Sequence, residues 1–234
     1  MNLSCKYCGC NADNFLKTGL FGCGNCYSIF LNPKEATLFS HSIEFEKSKI
    51  YNKNENLLSF FLNFFIKKKI SLRFRIARNF KKQFYLNKFD SQIYTIIDKF
   101  LDDPTIKNFS KQGNLYFFDE DHLRAEIFLK DSKCESNQFP SIFYNHSIFD
   151  YNSEFGYLTA CPTNSGRANK VSVMIQYSKI KETFREKFFD VYKENILYTV
   201  HSENIIIFLK NYNKIKLYNF MYNLYKIIKL NTYI

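Results

Sequence analysis

The chain has 234 residues, seven cysteines and 33 basic against 22 acidic side chains, which gives a formal net charge of +11. This length can bury one sizeable core with a small satellite module, and it leaves no room for several large domains. The longest apolar run, residues 57–66, is too short to span a bilayer, and we expect no signal peptide because the cysteine cluster begins at position 5. We therefore expect a cytoplasmic protein with no membrane partner. Because lysine is spread along the whole chain, we do not expect a nucleic-acid partner either.

Two Cys-x2-Cys pairs lie within the first 26 residues. Four thiolates at this spacing are typical of a tetrahedral zinc site. Four of the seven glycines fall within the first 24 residues, where they let the backbone turn around sulfur ligands. A disulfide scaffold is the weaker interpretation, because nothing marks the chain as secreted. Cys10 is either not a zinc ligand or competes with the other four cysteines for one ligand position. We predict a zinc module over residues 1–32, with Zn²⁺ held by Cys5, Cys8, Cys23 and Cys26.

Residues 33–68 are predicted to form a partly helical connector, and residues 69–234 a larger domain. That domain starts with an arginine-rich run, Ser-Leu-Arg-Phe-Arg-Ile-Ala-Arg-Asn over residues 71–79. In an extended segment Arg73 and Arg75 point to the same face and can converge on one polyphosphate. Only six of the 33 basic residues are arginine, and three of them lie in this run. Because lysine supplies positive charge almost everywhere else, the planar, five-donor guanidinium of arginine is required in this run. This argues against a solvated basic strand.

The middle of the chain predicts a helix and then a hairpin. An apolar stripe from Ile93 to Leu101 has helical spacing. Residues 114–118 and 123–129 are rich in strand formers, and they flank an acidic cluster that becomes the tip of the hairpin. Clustered carboxylates repel one another, so they suit a site that receives a cation, although such a tip is more often a solvated turn.

Residues 154–174 deliver a cysteine to a turn. Cys161 is predicted at the end of a strand, followed by a turn from Pro162 to Gly166 and a second strand from Val171 to Gln176. A thiol on such a turn can be ionised by nearby cations and, as a thiolate, can face a guanidinium. For a lone cysteine, a buried position at a strand end is the ordinary interpretation.

The last quarter of the chain completes the predicted fold. A helical stripe runs from Phe184 to Tyr192, and strands at residues 198–200 and 205–209 are joined by a short turn at residues 201–204. A final amphipathic helix runs from Leu217 to Ile228. Helices packed on one side of a mostly antiparallel sheet define the α+β class.

Three of these segments together resemble the signatures of the phosphagen (guanidino) kinases, and most closely the bacterial protein-arginine kinases. Residues 156–164, Gly-Tyr-Leu-Thr-Ala-Cys-Pro-Thr-Asn, are similar to the family's Gly-Tyr-Leu-Thr-x-Cys-Pro-Thr-Asn. Residues 71–79 resemble Ser-x-Arg-x-Arg-x-x-Arg-Asn, and residues 118–124 resemble Asn-Glu-Glu-Asp-His-hydrophobic-Arg, in the family's order. Residues 5–27 resemble a zinc module of the protein-arginine kinase activator. The resemblance implies a guanidino-kinase-like antiparallel sheet in a shortened catalytic domain over residues 69–234.

The resemblance also implies a role for each matching residue. Glu120 matches the carboxylate that orients the guanidinium and accepts its proton, and Cys161 helps to hold that guanidinium. Asp119 stands in the place of the family's first Glu, which keeps the charge and shortens the reach. ATP is expected as the phosphoryl donor, with Mg²⁺ bridging its phosphates. The residues expected to bind the nucleotide are Ser71, Arg73, Arg75, Arg124 and Lys170.

Two departures from the family pattern bear on activity. Lys170 stands where the family has a phosphate-binding arginine, and lysine cannot grip a phosphate bidentately. The family's glycine-containing loop, which supplies another arginine and a second substrate carboxylate, is expected to be shortened to residues 201–204. The loss of one preorganised donor costs on the order of 10²–10³ in rate.

Two hypotheses from different classes fit these motifs. The first is a reduced protein-arginine kinase fused to an activator-like zinc module, which phosphorylates arginine side chains of protein substrates in protein quality control and the stress response. The second is a catalytically impaired regulator or adaptor that keeps the fold and the zinc module. It would bind the Clp protease machinery or a separate full-length arginine kinase.

Overall fold

The computed structural model describes residues 3–31, 51–81, 84–85, 91–129, 139–176, 178, 197–201 and 203–231. The described residues form two compact units: the first lies within residues 1–45, 75–127 and 138–169, and the second within residues 46–74, 128–137 and 170–234. No helix among the described residues is long and apolar enough to cross a membrane. The predicted helical stripe from Phe184 to Tyr192 lies outside the described residues, as does Ser202 of the predicted turn.

The first unit begins with two short helices, the second of which contains Cys26 of the second cysteine pair. Helix α1 spans Ala12–Thr18 and helix α2 spans Asn25–Phe30. The side chain of Asn11 accepts a hydrogen bond from the amide of Asn14, which satisfies one of the open donors at the start of α1. Gly19 ends the helix in the left-handed region at φ 70°, a conformation that glycine adopts without steric cost.

The acidic cluster lies at the tip of a hairpin, as predicted. Strand β2 (Asn114–Phe117) pairs antiparallel with strand β3 (Leu123–Leu129), from Asn114 opposite Glu126 to Phe117 opposite Leu123. Residues 118–122 form the tip. Strand β1 spans Ser71–Arg78; its residues 71–74 belong to the second unit and its residues 75–78 to the first. In the first unit the strand order of the sheet is β2-β3-β1.

Two helices precede this hairpin in the first unit. The predicted apolar stripe forms helix α4 (Ser91–Asp102), and its residues Ile93, Ile97 and Phe100 are buried. Helix α5 (Pro104–Phe109) follows at once, because Asp103 accepts a hydrogen bond from the amide of Thr105 and Pro104 suits the first turn.

The segment before Cys161 differs from its prediction. Strand β4 (Tyr151–Asn152) pairs with strand β5 (Gly156–Tyr157), which ends four residues before Cys161. The prediction of a strand running to Cys161 is therefore wrong. The main chain of residues 158–160 bonds to side chains and to other segments instead of to a neighbouring strand. A single 3₁₀ turn, Pro162–Asn164, follows the cysteine.

Among the described residues, the second unit contains two helices, the start of β1 and the antiparallel strands β6 (Asn169–Gln176), β7 (Leu197–His201) and β8 (Asn204–Lys210). Its sheet runs in the order β1-β6-β8-β7. His201 pairs with Asn204, so the predicted short turn between the last two strands is confirmed.

Helix α3 (Tyr51–Lys67) and helix α6 (Lys214–Asn231) supply the helical part of the second unit. The ring of Tyr225 on α6 lies 4.8 Å from that of Phe64 and 5.4 Å from that of Phe61 on α3, measured between centroids. Helices combined with antiparallel strand pairs in both units confirm the predicted α+β class.

Candidate functional site

Strand β1 presents the predicted arginines on one face. Its side chains alternate between half-buried and buried, so Ser71, Arg73 and Arg75 share the half-buried face. Within the second unit Arg73 Nε donates to Ser172 Oγ across 3.3 Å. Within the first unit the charge of Arg75 is close enough to lower the pKa of Asp121, against the larger effect of burial. The spacing that the sequence predicts for a polyphosphate-binding face is therefore present on this strand.

The third arginine of the run serves the core of the first unit. Arg78 is fully buried, and its guanidinium donates to the carbonyl oxygens of Phe143 at 2.7 Å, Ala77 at 2.7 Å and Arg167 at 3.2 Å. Its Cζ lies 3.6 Å from the ring centroid of Tyr157. Burial lowers the pKa of Arg78 to about 10, so the group keeps its charge at neutral pH. Arg78 thus ties the end of β1 to both sides of the Cys161 loop.

One hydrogen-bond network joins the three motifs inside the first unit. Asn79, at the end of the arginine run, donates through Nδ2 to Asp121 Oδ1 at 2.7 Å and to the carbonyl of Leu158 at 3.3 Å. Its Oδ1 accepts from the amide of His122 at 2.8 Å. Asp121 Oδ1 also accepts from the amide of Ala160 at 2.8 Å. The arginine strand, the acidic hairpin tip and the chain leading to Cys161 are therefore fastened to one another.

Burial sets the charge states in this network. Burial raises the pKa of Asp121 to about 6, although the hydrogen bond from Ala160 opposes the rise. Burial lowers the pKa of His122 to about 4. Neutral His122 fits its surroundings, because Nδ1 accepts from the amide of Phe80 at 3.1 Å and Nε2 lies 2.5 Å from the carbonyl of Phe84. At neutral pH the network therefore contains one carboxylate and one neutral imidazole.

The predicted proton acceptor lies beside the cysteine turn. Glu120 Oε1 accepts from Asn164 Nδ2 at 3.0 Å, and Asn164 is the last residue of the turn that follows Cys161. Cys161 Sγ lies 3.1 Å from Thr163 Oγ1. Glu120 and Cys161 are both half-buried, and the carboxylate of Glu120 contacts the turn that begins directly after Cys161.

Two glycines close the base of this loop. The amide of Tyr157 donates to the carbonyl of Gly166 at 2.8 Å, and the amide of Gly166 donates back to the carbonyl of Tyr157 at 3.2 Å. A Cβ atom at Gly156, whose φ is +74°, would lie 2.5 Å from the carbonyl oxygen of Gly166. Only glycine fits this approach without moving the backbone. The glycines of the motif thus hold the two ends of the Cys161 loop together.

Arg124, which was expected to bind nucleotide, has carboxylate partners in the structure. Its NH1 forms an ion pair with Asp119 Oδ2, its Nε lies 3.2 Å from buried Glu126 Oε1, and its Cζ lies 4.5 Å from the ring centroid of Tyr116. Asp119 is therefore directed to Arg124. In the second unit Lys170 Nζ lies 3.9 Å from the ring centroid of Phe208.

The four cysteines of the two pairs converge in the first unit. Their sulfur atoms all lie within 4.8 Å of one another, and those of Cys5 and Cys23 are 3.8 Å apart. Tetrahedral Zn–S bonds of ~2.3 Å place sulfur atoms about 3.8 Å apart. The hydrogen bond between Cys23 and Cys26 lowers the pKa of Cys23 and raises that of Cys26, because the two thiols share a proton when no metal is bound. Cys10 lies outside the group. The donor set and its spacing fit Zn²⁺.

Sequence reasoning missed the residues that hold the site together. Asn79 and Asp121 lie inside the recognised motifs but received no role, because a motif match does not show which polar residues become buried. Tyr27 also escaped notice. Its hydroxyl donates to the carbonyl of Thr159 at 2.8 Å, and no pattern in the sequence connects residues so far apart along the chain.

Comparisons with solved structures return guanidino kinases. The duplicated taurocyamine kinase from Schistosoma mansoni superposes with a TM-score of 0.47 at 14% identity, covering 69% of this chain and 31% of that one. A lombricine kinase superposes with a TM-score of 0.45 at 14% identity, covering 68% of this chain and 65% of that one.

Two curated relatives carry the name protein-arginine kinase. The protein from Shouchella clausii is 28% identical over 103 residues, which is 38% of this chain and 29% of the relative. The protein from Clostridium kluyveri is 27% identical over 153 residues, which is 58% of this chain and 41% of the relative. The chain thus spans well under half the length of either relative.

Two family models match separate parts of the chain. The model of the McsA central zinc-finger domain matches residues 3–37. The model of the ATP:guanido phosphotransferase C-terminal catalytic domain matches residues 114–200. The resemblance predicted from the motifs is therefore confirmed, with a zinc-finger segment similar to McsA preceding a segment similar to the guanidino phosphotransferase catalytic domain.

Proposed function

We propose that this protein is an ATP:guanidino phosphotransferase that acts on arginine side chains of proteins. One observation carries the proposal. The Asn79–Asp121 network fastens the arginine strand, the acidic tip and the cysteine turn together, and Glu120 then bonds to Asn164 beside Cys161. A carboxylate and a thiol at one surface suit a guanidinium, which is planar, cationic and a donor on every edge.

The reaction assigns each group one task. A guanidinium nitrogen attacks the γ-phosphorus of ATP, so that a new N–P bond forms while the P–O bond to the departing ADP breaks. Glu120 takes the proton that the attacking nitrogen loses, and Cys161 holds the guanidinium in line. Phosphoryl transfer otherwise depends on charge neutralisation, to which Mg²⁺ would contribute when bound together with the nucleotide. The proposed nucleotide ligands are Ser71, Arg73, Arg75, Arg124 and Lys170.

The proposed substrates are proteins, because the curated relatives are named protein-arginine kinases. A role in protein quality control and the stress response, in the cytoplasm and with the Clp protease machinery as a partner, belongs to the same proposal. The zinc module supports it, since four convergent thiols need a reducing compartment to stay available for metal. In this reading an activator-like zinc segment and a kinase segment work in one chain.

A second function is favoured by the surroundings of Arg124. Its guanidinium pairs with Asp119 and Glu126, so a phosphate group must compete with two carboxylates for the same donors. An arginine neutralised in this way contributes less to the transition state, and a weakened donor costs on the order of 10²–10³ in rate. The alternative is a catalytically impaired regulator or adaptor of the arginine-kinase and Clp system.

One paired experiment separates the two functions. The purified zinc-loaded protein is incubated with Mg²⁺, ATP labelled at the γ-phosphate and an arginine-rich protein, and the acid-labile label is assigned to phosphoarginine by mass spectrometry of the peptides. ATP binding is measured by calorimetry on the same sample. Phosphoarginine above the level of a no-enzyme control supports the kinase. ATP binding without transfer supports the regulator, and the absence of both contradicts the nucleotide site.

A further inference from the structure

The two residues before Cys161 are held almost entirely by the zinc module. Their four main-chain polar groups find partners outside any strand, and three of those partners belong to the module. Tyr27 Oη donates to the carbonyl of Thr159 at 2.8 Å and accepts from the amide of the same residue at 3.2 Å. The amide of Phe21 donates to the carbonyl of Ala160 at 2.7 Å. The remaining group, the amide of Ala160, donates to Asp121.

Tyr27 is built to hold that position. Its side chain is 1% exposed, and its ring lies 5.0 Å from the ring of Phe21 and 5.3 Å from that of Phe155, between centroids. These contacts fix the direction of the phenol, so the hydroxyl occupies the place that a neighbouring strand would take. Because the buried hydroxyl both donates and accepts, it satisfies the carbonyl and the amide of Thr159 without water.

The same contacts connect the cysteine cluster to the cysteine turn. Tyr27 directly follows Cys26, and Phe21 precedes Cys23 by two residues, so both are fixed when the four sulfurs are drawn together. On the other side, Thr159 Oγ1 donates to the carbonyl of Cys161 at 2.7 Å. Cys26 is joined to Tyr27 by one peptide bond, Tyr27 to Thr159 by two hydrogen bonds, and Thr159 to the Cys161 carbonyl by one more.

We infer that Tyr27 is a positioning residue for the Cys161 turn, through which the metal state of the zinc module sets the geometry of the guanidinium site. The catalytic part of this inference rests on the proposed function, whereas the coupling itself does not. With the module loaded, Tyr27 and Phe21 hold Thr159 and Ala160, and the turn presents Cys161 beside Glu120. Without zinc, Tyr27 and Phe21 are no longer held in place, their hydrogen bonds to Thr159 and Ala160 weaken, and the position of the Cys161 turn is no longer fixed.

The test uses the whole zinc-loaded chain and the variant Tyr27→Phe, which keeps the ring and removes the hydroxyl. Tyr7→Phe is the matched control, because Tyr7 lies in the same module with 52% of its surface exposed. Zinc content is measured first. Hydrogen exchange at single-residue resolution then reports on the amides of Thr159 and Ala160, and mass spectrometry follows the alkylation of Cys161.

In Tyr27→Phe with zinc retained, exchange at Thr159 should accelerate roughly 10-fold, the factor expected for one lost buried hydrogen bond. Alkylation of Cys161 should accelerate as well, while the amides of α4 keep their wild-type rates. If the protein is active, kcat should fall while the KM for ATP stays unchanged, which separates positioning from general loss of structure. Tyr7→Phe should match the wild type throughout.

Equal exchange at Thr159 and Ala160 in the wild type and in Tyr27→Phe would overturn the inference. Should that variant not fold, the wild type decides: zinc removal by a chelator must accelerate exchange at both amides but not in α4, and unchanged rates at these amides refute the coupling. These readouts need no activity. An inactive wild type with zinc-dependent exchange at Thr159 would therefore contradict the proposed function and still support the coupling.

Discussion

The substitution Asp121→Asn tests the network that joins the three motifs. Asp121 Oδ1 accepts hydrogen bonds from Asn79 Nδ2 and from the amide of Ala160, and the amide oxygen of asparagine can accept both. The substitution therefore keeps the connections and removes a buried negative charge. Its effect on the free energy of unfolding should depend on pH in a way that the wild-type pKa values determine.

The magnitude follows from the pKa of Asp121, which burial raises from 3.8 to about 6. Because the folded protein binds this proton more tightly than the unfolded chain, Asp121 favours folding below pH 3.8 and loses that contribution as the pH rises to 6. A pKa difference of this size corresponds to roughly 3 kcal/mol. As the pH rises from 3.8 to about 6, the free energy of unfolding of Asp121→Asn should therefore increase relative to that of the wild type by up to about 3 kcal/mol.

The neighbouring His122 acts with the opposite sign. Burial lowers its pKa from 6.5 to about 4, so its contribution to stability is complete above pH 6.5 and is lost as the pH falls to 4. This loss is also roughly 3 kcal/mol. In the wild type the two effects oppose each other over nearly the same pH range. Asp121→Asn removes one of them, so the variant should be more sensitive to acid than the wild type.

Urea-induced unfolding followed by tyrosine fluorescence suits this comparison, since the chain has 17 tyrosines and no tryptophan. Both proteins are unfolded at a series of pH values across the two titrations, at constant ionic strength. A nearly flat wild-type profile together with a steep acid loss in the variant is the expected result. Parallel profiles would refute the reasoning, because they would mean that Asp121 titrates alike in the folded and unfolded chains.

Three further predictions follow from the same contacts. Metal analysis should find about one zinc per chain, and Gly22→Ala should lower its affinity, because a Cβ there would lie 2.7 Å from Cys8 Sγ; an unchanged zinc titration contradicts this. Arg73→Lys should weaken ATP binding in calorimetry although the charge is kept. Equal affinity for ATP would instead support the interpretation of β1 as a solvated basic strand. Arg78→Lys should cost about 2–4 kcal/mol in thermal unfolding, because one ammonium cannot serve all the carbonyls that the buried guanidinium reaches. An unchanged melting temperature argues against that role.

Local spacing allowed part of the fold and site to be predicted. The ligands of the zinc module are close in sequence, so two Cys-x2-Cys pairs were enough to predict the cluster of sulfurs. The shared face of Arg73 and Arg75 depends only on the alternation of side chains along β1. The hairpin tip at residues 118–122 needed only two strand-like runs and an acidic interruption.

Features that depend on distant partners could not be predicted. The residues before Cys161 resemble a strand in composition, yet they are bonded to Tyr27 and Asp121, which lie far away along the chain. Arg78 follows Arg73 and Arg75, the arginines of the half-buried face, in the same run. Its burial is offset by hydrogen bonds to carbonyl oxygens, among them those of Phe143 and Arg167. Burial of a polar residue is decided by tertiary partners that local patterns do not reveal.

The most direct test of the proposed kinase compares phosphoarginine formation by the wild type, Glu120→Gln and Glu154→Gln under single-turnover conditions with labelled ATP. Glu120→Gln keeps the shape of the side chain that meets Asn164 but removes the proton acceptor, whereas Glu154 is exposed and serves as the matched control. Phosphoarginine should form in the wild type and in Glu154→Gln, and it should fall about 10²–10⁴-fold in Glu120→Gln. Equal amounts from all three proteins, or none from the wild type, would contradict the assignment of Glu120 as the base of a working guanidino kinase.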